Sequence, residues 1–440
     1  MPTVNQLKPE ARFLEDFREL MRSSRNDGQN DLRQSAFQHF ERLGFPSLKN
    51  EEWKYTNMLP IISEELQPAS KELTIQSLND LNLDFLSKGA FIIVLQNGYL
   101  HKDISALNNL PAGLRIKNIS DCASDPIFNI HFAKYADSNV DAFAALNTSF
   151  YNEGIFIHVE KDCKIDQPIY IINYTTAGEE SVITYPRCLV VAGKHAKASI
   201  EWITISPERM RGTAFINAVN EIVVEENAFI NFCILQNDQE SVSQVCNTYA
   251  VQEKDSHFNI NTITTGGNKV RNKLHITLDG VNTETHLFGL AMGSGTQLID
   301  NHTAVMHAKP HCFSNQIYKT ILDGASQGVF NGKIFVMKDA QKTNAYQSSK
   351  NILLSDEASM FAKPQLEIFA DDVKCSHGAT TGQIDAEALF YLRTRGIGIE
   401  RAKALLNLAF AADVINNIPN ELLRNHIMAL VENKLYIQNN

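Results

Sequence analysis

Hydrophobic positions in the first 45 or so residues recur with a helical period. Phe13, Leu14, Phe17, Leu20 and Met21 fall on one stripe. Leu32, Ala36, Phe37, Phe40 and Leu43 fall on a second, beyond the breaker Asn26-Asp27-Gly28. The pattern predicts two amphipathic helices. Gly44 suits a helix C-terminus and Pro46 prevents continuation, so residues 50–58, NEEWKYTNM, read as an ordered connector. Its Trp53 and Tyr55 are expected to pin the helical unit to something larger.

From about Phe91 the period changes from 3.6 to 2. Phe91 to Leu95 reads as a strand, and Asn97-Gly98 is a two-residue hairpin signal. Residues 103–150 are ambiguous and partly helical in character. Beyond them an apolar strand, a short charged or Gly-containing turn and another strand recur. The turns are Glu160-Lys161-Asp162, Gly193-Lys194-His195, Glu225-Glu226-Asn227, Glu253-Lys254-Asp255 and Asp279-Gly280. Their spacing, about 26 to 33 residues, is that of stacked coils. Hardly any amphipathic helix interrupts residues 155–370, which excludes a sheet built from β-α-β units. A Greek-key sandwich would be unusually large at this length. The fold expected is mainly β: a parallel β-helix, or β-solenoid, in which each coil pairs its backbone with the coil below. A terminal coil then exposes unpaired N–H and C=O groups, and these must be covered or joined to another protein.

The helical period returns after Asp385, a plausible N-cap for Ala386 to Thr394. Gly396 and Gly398 break that helix. Ile399, Ala402, Leu405, Leu406, Ala409, Phe410 and Val414 form a broad stripe, and Pro419 opens a last helix with Leu422, Leu423, Ile427, Leu430 and Val431. The expected division is residues 1–88, a helical region with connector; 89–384, the β-helix core; and 385–440, a C-terminal helical domain.

Composition narrows the function classes. Forty basic against fifty acidic side chains in 440 residues leave a net charge of −10, which argues against a nucleic-acid binder because such proteins need a basic face. No stretch approaches the roughly 18 uncharged apolar residues of a membrane span. Lys8, Glu10, Arg12, Glu15 and Asp16 interrupt any signal-like apolar run, so a cytoplasmic location is expected. Seven cysteines with no Cys-x-x-Cys make neither a disulfide framework nor a zinc ribbon.

The most pointed chemistry lies in residues 371–385, DDVKCSHGATTGQID. Cys375 and His377 are two apart, so on a strand both side chains point the same way. A thiolate and an imidazole make a donor pair suited to iron, zinc or an iron–sulfur cluster, but two donors complete no such site. In the competing reading Val373 and Cys375 fill the last rung of the core and His377 makes an ordinary hydrogen bond. A second group, His302, His307, His311 and Cys312, raises the question of a metal. Pro310 divides it and no carboxylate follows at helical spacing, so stacked polar ladders along the solenoid are the plainer account. A phosphate-binding loop and Gly-x-Ser-x-Gly are both missing, and catalysis has no positive signature.

Residues 363–385, KPQLEIFADDVKCSHGATTGQID, with FYLRTRGI at 390–397, closely resemble the signature of the SufB/SufD family of iron–sulfur cluster assembly proteins. MHAKPHCFSNQIYK at 306–319 and residues 328–358 look like the same family's core, and NEEWKYTNM resembles its N-terminal region. The shorter length, the Trp-Lys-Tyr element and Cys-Ser-His-Gly, where the SufB branch typically reads Glu-His-Glu, favour the SufD branch.

The resemblance implies a right-handed β-helix between helical ends. It also implies a scaffold complex in which this chain pairs with a SufB-like subunit through the end of the β-helix and binds a SufC-like ATPase through its C-terminal helices. His377 then corresponds to the histidine proposed to help hold the nascent cluster, and Cys375 to its neighbouring interface cysteine. Tyr391, Leu392, Arg393, Arg395 and Gly396 fall in the ATPase-docking region. The expected function is a non-catalytic scaffold subunit with no cofactor of its own, sharing a nascent iron–sulfur cluster with SufB and able to pair with a second copy when isolated. The alternatives are a β-helix enzyme acting on polysaccharides and a metal-free homodimeric interaction protein.

Overall fold

The computed structural model describes residues 9–23, 28–86 and 88–437. An eleven-stranded and a ten-stranded sheet form the two walls of one solenoid. From Ile155 onward every neighbouring pair of strands is parallel and in continuous register. Partners lie 26 residues apart at Gln244 and Val270 and 33 apart at Ile155 and Cys188, the spacing expected from the turns.

One corner repeats in every coil. Asp162, His195, Asn227, Asp255, Asn282, His311 and Lys342 all have φ near +60°. Each donates its backbone N–H to a carbonyl of the next coil, from Asp162 to Lys194 at 2.8 Å through to Lys342 to Asp372 at 2.7 Å. The left-handed conformation turns an otherwise orphaned N–H along the solenoid axis, which is why non-Gly residues accept the strain there.

Alternation along each strand fills the interior with Ile, Val, Ala, Phe and Trp202, while the other faces carry separate covers. The helices Pro9–Ser23 and Asn30–Leu43 pack with Ala142–Phe150 through Phe13, Phe17, Phe37, Phe40 and Phe150, and seat against Phe156, Leu189 and Phe215 of the eleven-stranded sheet. Asn26 and Asp27 of the expected breaker lie outside the described residues, and Gly28 has φ +77°. The helices Ile399–Ile415 and Glu421–Ile437 cover Ile203, Leu235, Ile263 and Leu290 of the other sheet.

The expected stripe on Ile399–Ile415 requires correction. The buried face is Ala402, Ala404, Asn407, Ala411, Val414 and Ile415, whereas Ile399, Leu405 and Ala409 are exposed. Small residues let this helix approach both the sheet and its neighbouring helices, and Lys319 anchors it by donating to Phe410 O at 2.8 Å with its ammonium 4.2 Å from the Phe410 ring. The last helix begins at Glu421 with Asn420 accepting from Leu423 N, so Pro419 precedes its cap. The ambiguous stretch 103–150 contains the strand Leu114–Asn118 and the helices Pro126–His131 and Ala142–Phe150, each helix capped by an aspartate. No helix among the described residues is long and apolar enough to cross a membrane.

The connector is a strap across the outer face of the eleven-stranded sheet. Trp53 lies under the Arg271 guanidinium, 3.8 Å from the ring centroid, and stacks on Phe143. Tyr55 stacks on Phe361 at 4.2 Å in the final strand of that sheet. Glu52 pairs with Lys333 and His302, Glu51 with Lys363, and Thr56 donates to Asp300. His302 and Lys333 together hold the Glu52 carboxyl well below the usual carboxylate range. The aromatics thus do the pinning that their sequence position predicts.

Candidate functional site

The solenoid ends in the strands Ser359–Ile368 and Lys374–Gly382, each paired on one side only among the described residues. Asp371-Asp372 turns between them, held by Lys342 N–H and by Gln341 Oε1, which accepts from Asp372 N at 2.9 Å. Register places Cys375 beside Ala345 and His377 beside Gln347. Ala345 and Gln347 are buried, so the pair Cys375 and His377 continues the lumen-facing side of the ladder.

The two donors meet different surroundings. Cys375 is half-buried against Ile334, Val336, Ala340, Ala345 and Ala370. Burial pushes its thiol pKa up, only partly offset by a backbone hydrogen bond from Ala345. His377 is exposed at the rim. Cys375 therefore does pack with the last rung of the core, as the plainer sequence reading has it, while His377 remains open to an incoming group. Opposite them Ala362, Pro364 and Leu366 occupy the lumen-facing positions of the other final strand, an edge that tolerates proline. Sequence reasoning passed over Gln347 and Gly332, which lie directly beneath this rung. Nothing in a linear pattern distinguishes a glutamine inside a solenoid from one outside it.

The second sequence cluster does not assemble. His302 lies on the outer face, with Nδ1 3.2 Å from Glu52 and Nε2 2.9 Å from Asp300. His307 points into the lumen and meets Ser314 Oγ at 2.9 Å; burial lowers its pKa to about 4, so it is neutral near pH 7. His311 is the exposed left-handed corner of its coil, and Cys312 is buried with Sγ donating to Gly280 O at 3.3 Å. Among the described residues no three His, Cys, Asp or Glu side chains come together as a metal site.

Beyond the last strand, the helix Ala386–Thr394 buries none of its residues. Phe390 and Tyr391 are 69% and 57% exposed. Arg393 and Arg395 are also exposed, Leu392 is half-buried, and Gly396 ends the helix with φ +85°. Arg395 lies over the Tyr391 ring at 5.3 Å and donates to its hydroxyl at 3.3 Å.

Residues 174–410 match the family model described as SUF system FeS cluster assembly, SufBD core domain, and residues 8–171 match the SufBD protein N-terminal region. The chain belongs to the SufBD family. It is 28% identical over 406 residues to the iron–sulfur cluster assembly protein SufD of Escherichia coli, covering 91% of this chain and 92% of that protein. It is 29% identical to an iron–sulfur cluster assembly SufBD family protein of Synechocystis, covering 88% and 87% respectively. A chloroplastic protein of Arabidopsis thaliana, ABCI7, is 30% identical, covering 91% and 86%.

For a SufBD protein the donor chemistry at the open end fits iron–sulfur cargo. Thiolate and imidazole are both cluster ligands. Two donors on one edge strand do not by themselves complete such a site.

Proposed function

We propose that this chain is a non-catalytic scaffold subunit of the SUF machinery, on which a nascent iron–sulfur cluster is built jointly with a SufB-like partner. The observation that carries the reading is the last coil. Among the described residues it has two unpaired strand edges, and Cys375 and His377 stand at one of them on the lumen-facing side. An edge strand offers main-chain donors and acceptors to a strand from another chain, and that pairing would bring the partner's ligands to the rim where His377 is exposed. His377 ligates iron or orients a ligand of the partner; Cys375 lines the same rung. The cluster is cargo, shared across the interface, and the complex works in the cytoplasm.

The exposed helix Ala386–Thr394, with Phe390, Tyr391, Leu392, Arg393 and Arg395 and the turn at Gly396, is the docking element for a SufC-like ATPase. An aromatic pair flanked by arginines is a composition common at protein interfaces. The adjoining helices rest on the ten-stranded sheet, so motion of the docked ATPase reaches the solenoid through Lys319 and the apolar seam below.

Co-expression with SufB-like and SufC-like subunits tests the proposal. His377→Ala is expected to leave the complex assembled and to reduce cluster accumulation, read from the visible absorption of the purified complex. An assembled complex with undiminished cluster would remove His377 from the mechanism. The same free edges also allow two copies of this chain to pair when isolated. The mass of the isolated chain, set against recovery of a mixed complex on co-expression, separates a homodimeric interaction protein from the scaffold.

A further inference from the structure

Directly beneath His377 in the ladder is its register partner Gln347. Gln347 is buried, and its amide is seated from two sides. Nε2 donates to Gln316 Oε1 at 3.2 Å one coil further in, and that oxygen also accepts from Thr303 Oγ1 of the opposite sheet at 2.7 Å. Gly332, also on the opposite sheet, makes the room: a Cβ at that position would come within 2.2 Å of Gln347 Nε2 and 2.8 Å of Phe330. The side chain therefore reaches across the lumen and floors the open coil. Its Oε1 is buried with no hydrogen-bond partner among the described residues. Gln316 Nε2 beside it is likewise buried without a partner among the described residues. A buried acceptor without a donor is costly, and the rung next to Gln347 is the one carrying His377.

We propose that Gln347 is a positioning residue for His377: the exposed ring turns inward over the rung so that Gln347 Oε1, which has no partner among the described residues, accepts the N–H of one imidazole nitrogen and leaves the lone pair of the other directed to the rim. This rests on the reading of His377 as a cluster-site residue. A neutral imidazole carries one N–H and one lone pair, and the partner of the N–H decides which nitrogen is free to ligate. Histidine ligands characteristically donate their second nitrogen to a fixed oxygen, which sets the tautomer and the ring plane. A glutamine performs this without adding charge. Gln316, itself fixed by Thr303, holds the amide from below and Gly332 makes room for it across the lumen, so the orientation of a rim side chain is set two coils inside the solenoid.

The test uses the full chain labelled with ring-15N histidine. His377→Ala identifies the His377 signals among the thirteen histidines. In the unaltered chain, above the pH at which the ring is charged, one neutral tautomer should dominate. Gln347→Met, similar in length and lacking the acceptor, should move His377 to a mixture of tautomers and lower cluster accumulation in the co-expressed complex by about 10-fold or more. Gln347→Glu, which keeps an acceptor at that place, should retain the single tautomer. If Gln347→Met does not fold, Gln347→Asn, whose amide is too short to reach the ring, gives the same reading. An unchanged tautomer ratio in the folded acceptor-less variant overturns the contact, and a shifted ratio with undiminished cluster overturns its role in assembly. If His377→Ala itself spares the cluster while Gln347→Met shifts the tautomer, the cluster-site reading fails and the contact stands.

Discussion

The two ends of the solenoid solve the same backbone problem in opposite ways. At the first coil, Tyr99–Leu100 folds back antiparallel on Phe91–Gln96 through Asn97 and Gly98, both with positive φ, and Leu114–Asn118 lies antiparallel on Ile155–Val159. The chain's own segments thereby reverse the strand direction and occupy both edges. At the last coil Ser359–Ile368 and Lys374–Gly382 have no further strand neighbour among the described residues, although the strap reaches the outer face of the first through Tyr55 and Phe361. A parallel stack propagates until something stops it. Here the stop at one end is intramolecular, and at the other end no strand among the described residues takes that place.

The largest effect should come from opening the covered end. Arg187 and Glu221 form a fully buried ion pair there, and Glu221 also accepts from the backbone N–H groups of Ala133, Tyr135 and Ala136. Glu221→Ala leaves the guanidinium unpaired and frees that loop. A loss of about 3–5 kcal/mol is expected in denaturant unfolding.

The covered flank should also carry a pH signature. Glu201 is buried under the C-terminal helices near Cys233, with the Asn420 amide donating to it at 3.4 Å and the Ser199 hydroxyl also facing it; Asn420 in turn donates to the Tyr170 hydroxyl. Burial raises its pKa from 4.5 to about 7, outweighing the Asn420 and Ser199 hydrogen bonds. Between these values the unfolded chain has released a proton that the folded chain keeps. Stability therefore falls as pH rises through this window, on the order of 3 kcal/mol for this group. Glu201→Gln should flatten that part of the stability–pH curve, and an unchanged slope would show that the carboxyl is not the source.

The open end should respond in binding rather than in folding. Lys374 N–H points inward to Thr343 O at 2.9 Å, so by alternation the N–H of Ala379 points to the free edge. Ala379→Pro removes one edge donor and no intramolecular bond. Affinity for the SufB-like partner is expected to fall by about 1–2 kcal/mol, measured by titration calorimetry, with a nearly constant melting temperature. A marked loss of stability without loss of affinity would mean that this edge is not the interface. The smallest effect is expected for Cys375→Ala: the site is only half-buried, so unfolding should change by less than about 1 kcal/mol, and any loss of cluster would report chemistry.

Much of this was legible from the residues in order. The coil spacing and the turns at Asp162, His195, Asn227 and Asp255 follow from period-2 strands interrupted at regular intervals. The strap was legible as two aromatics in a short polar connector. The burial of Ile399–Ile415 was not: a broad apolar stripe fits several rotations of the helix, and contact with a sheet on one side and helices on the other selected Ala404 and Asn407 over Leu405. His302, His307 and His311 looked like a group because they are near in sequence, yet alternation and a corner send them outward, inward and into a turn.

Local chemistry in the sequence therefore determined that the chain stacks strands into coils, that helices flank them, and that Cys375 and His377 share a side. Periodicity acts between near neighbours and is written residue by residue. The tertiary structure alone decided which side that is, how far each of the two is buried, and that Gln347, its amide seated by Gln316 and Gly332, is the register partner of His377 one coil further in. Those relations join residues up to about thirty positions apart, between coils or across the lumen, and they exist only once the coils have closed upon one another.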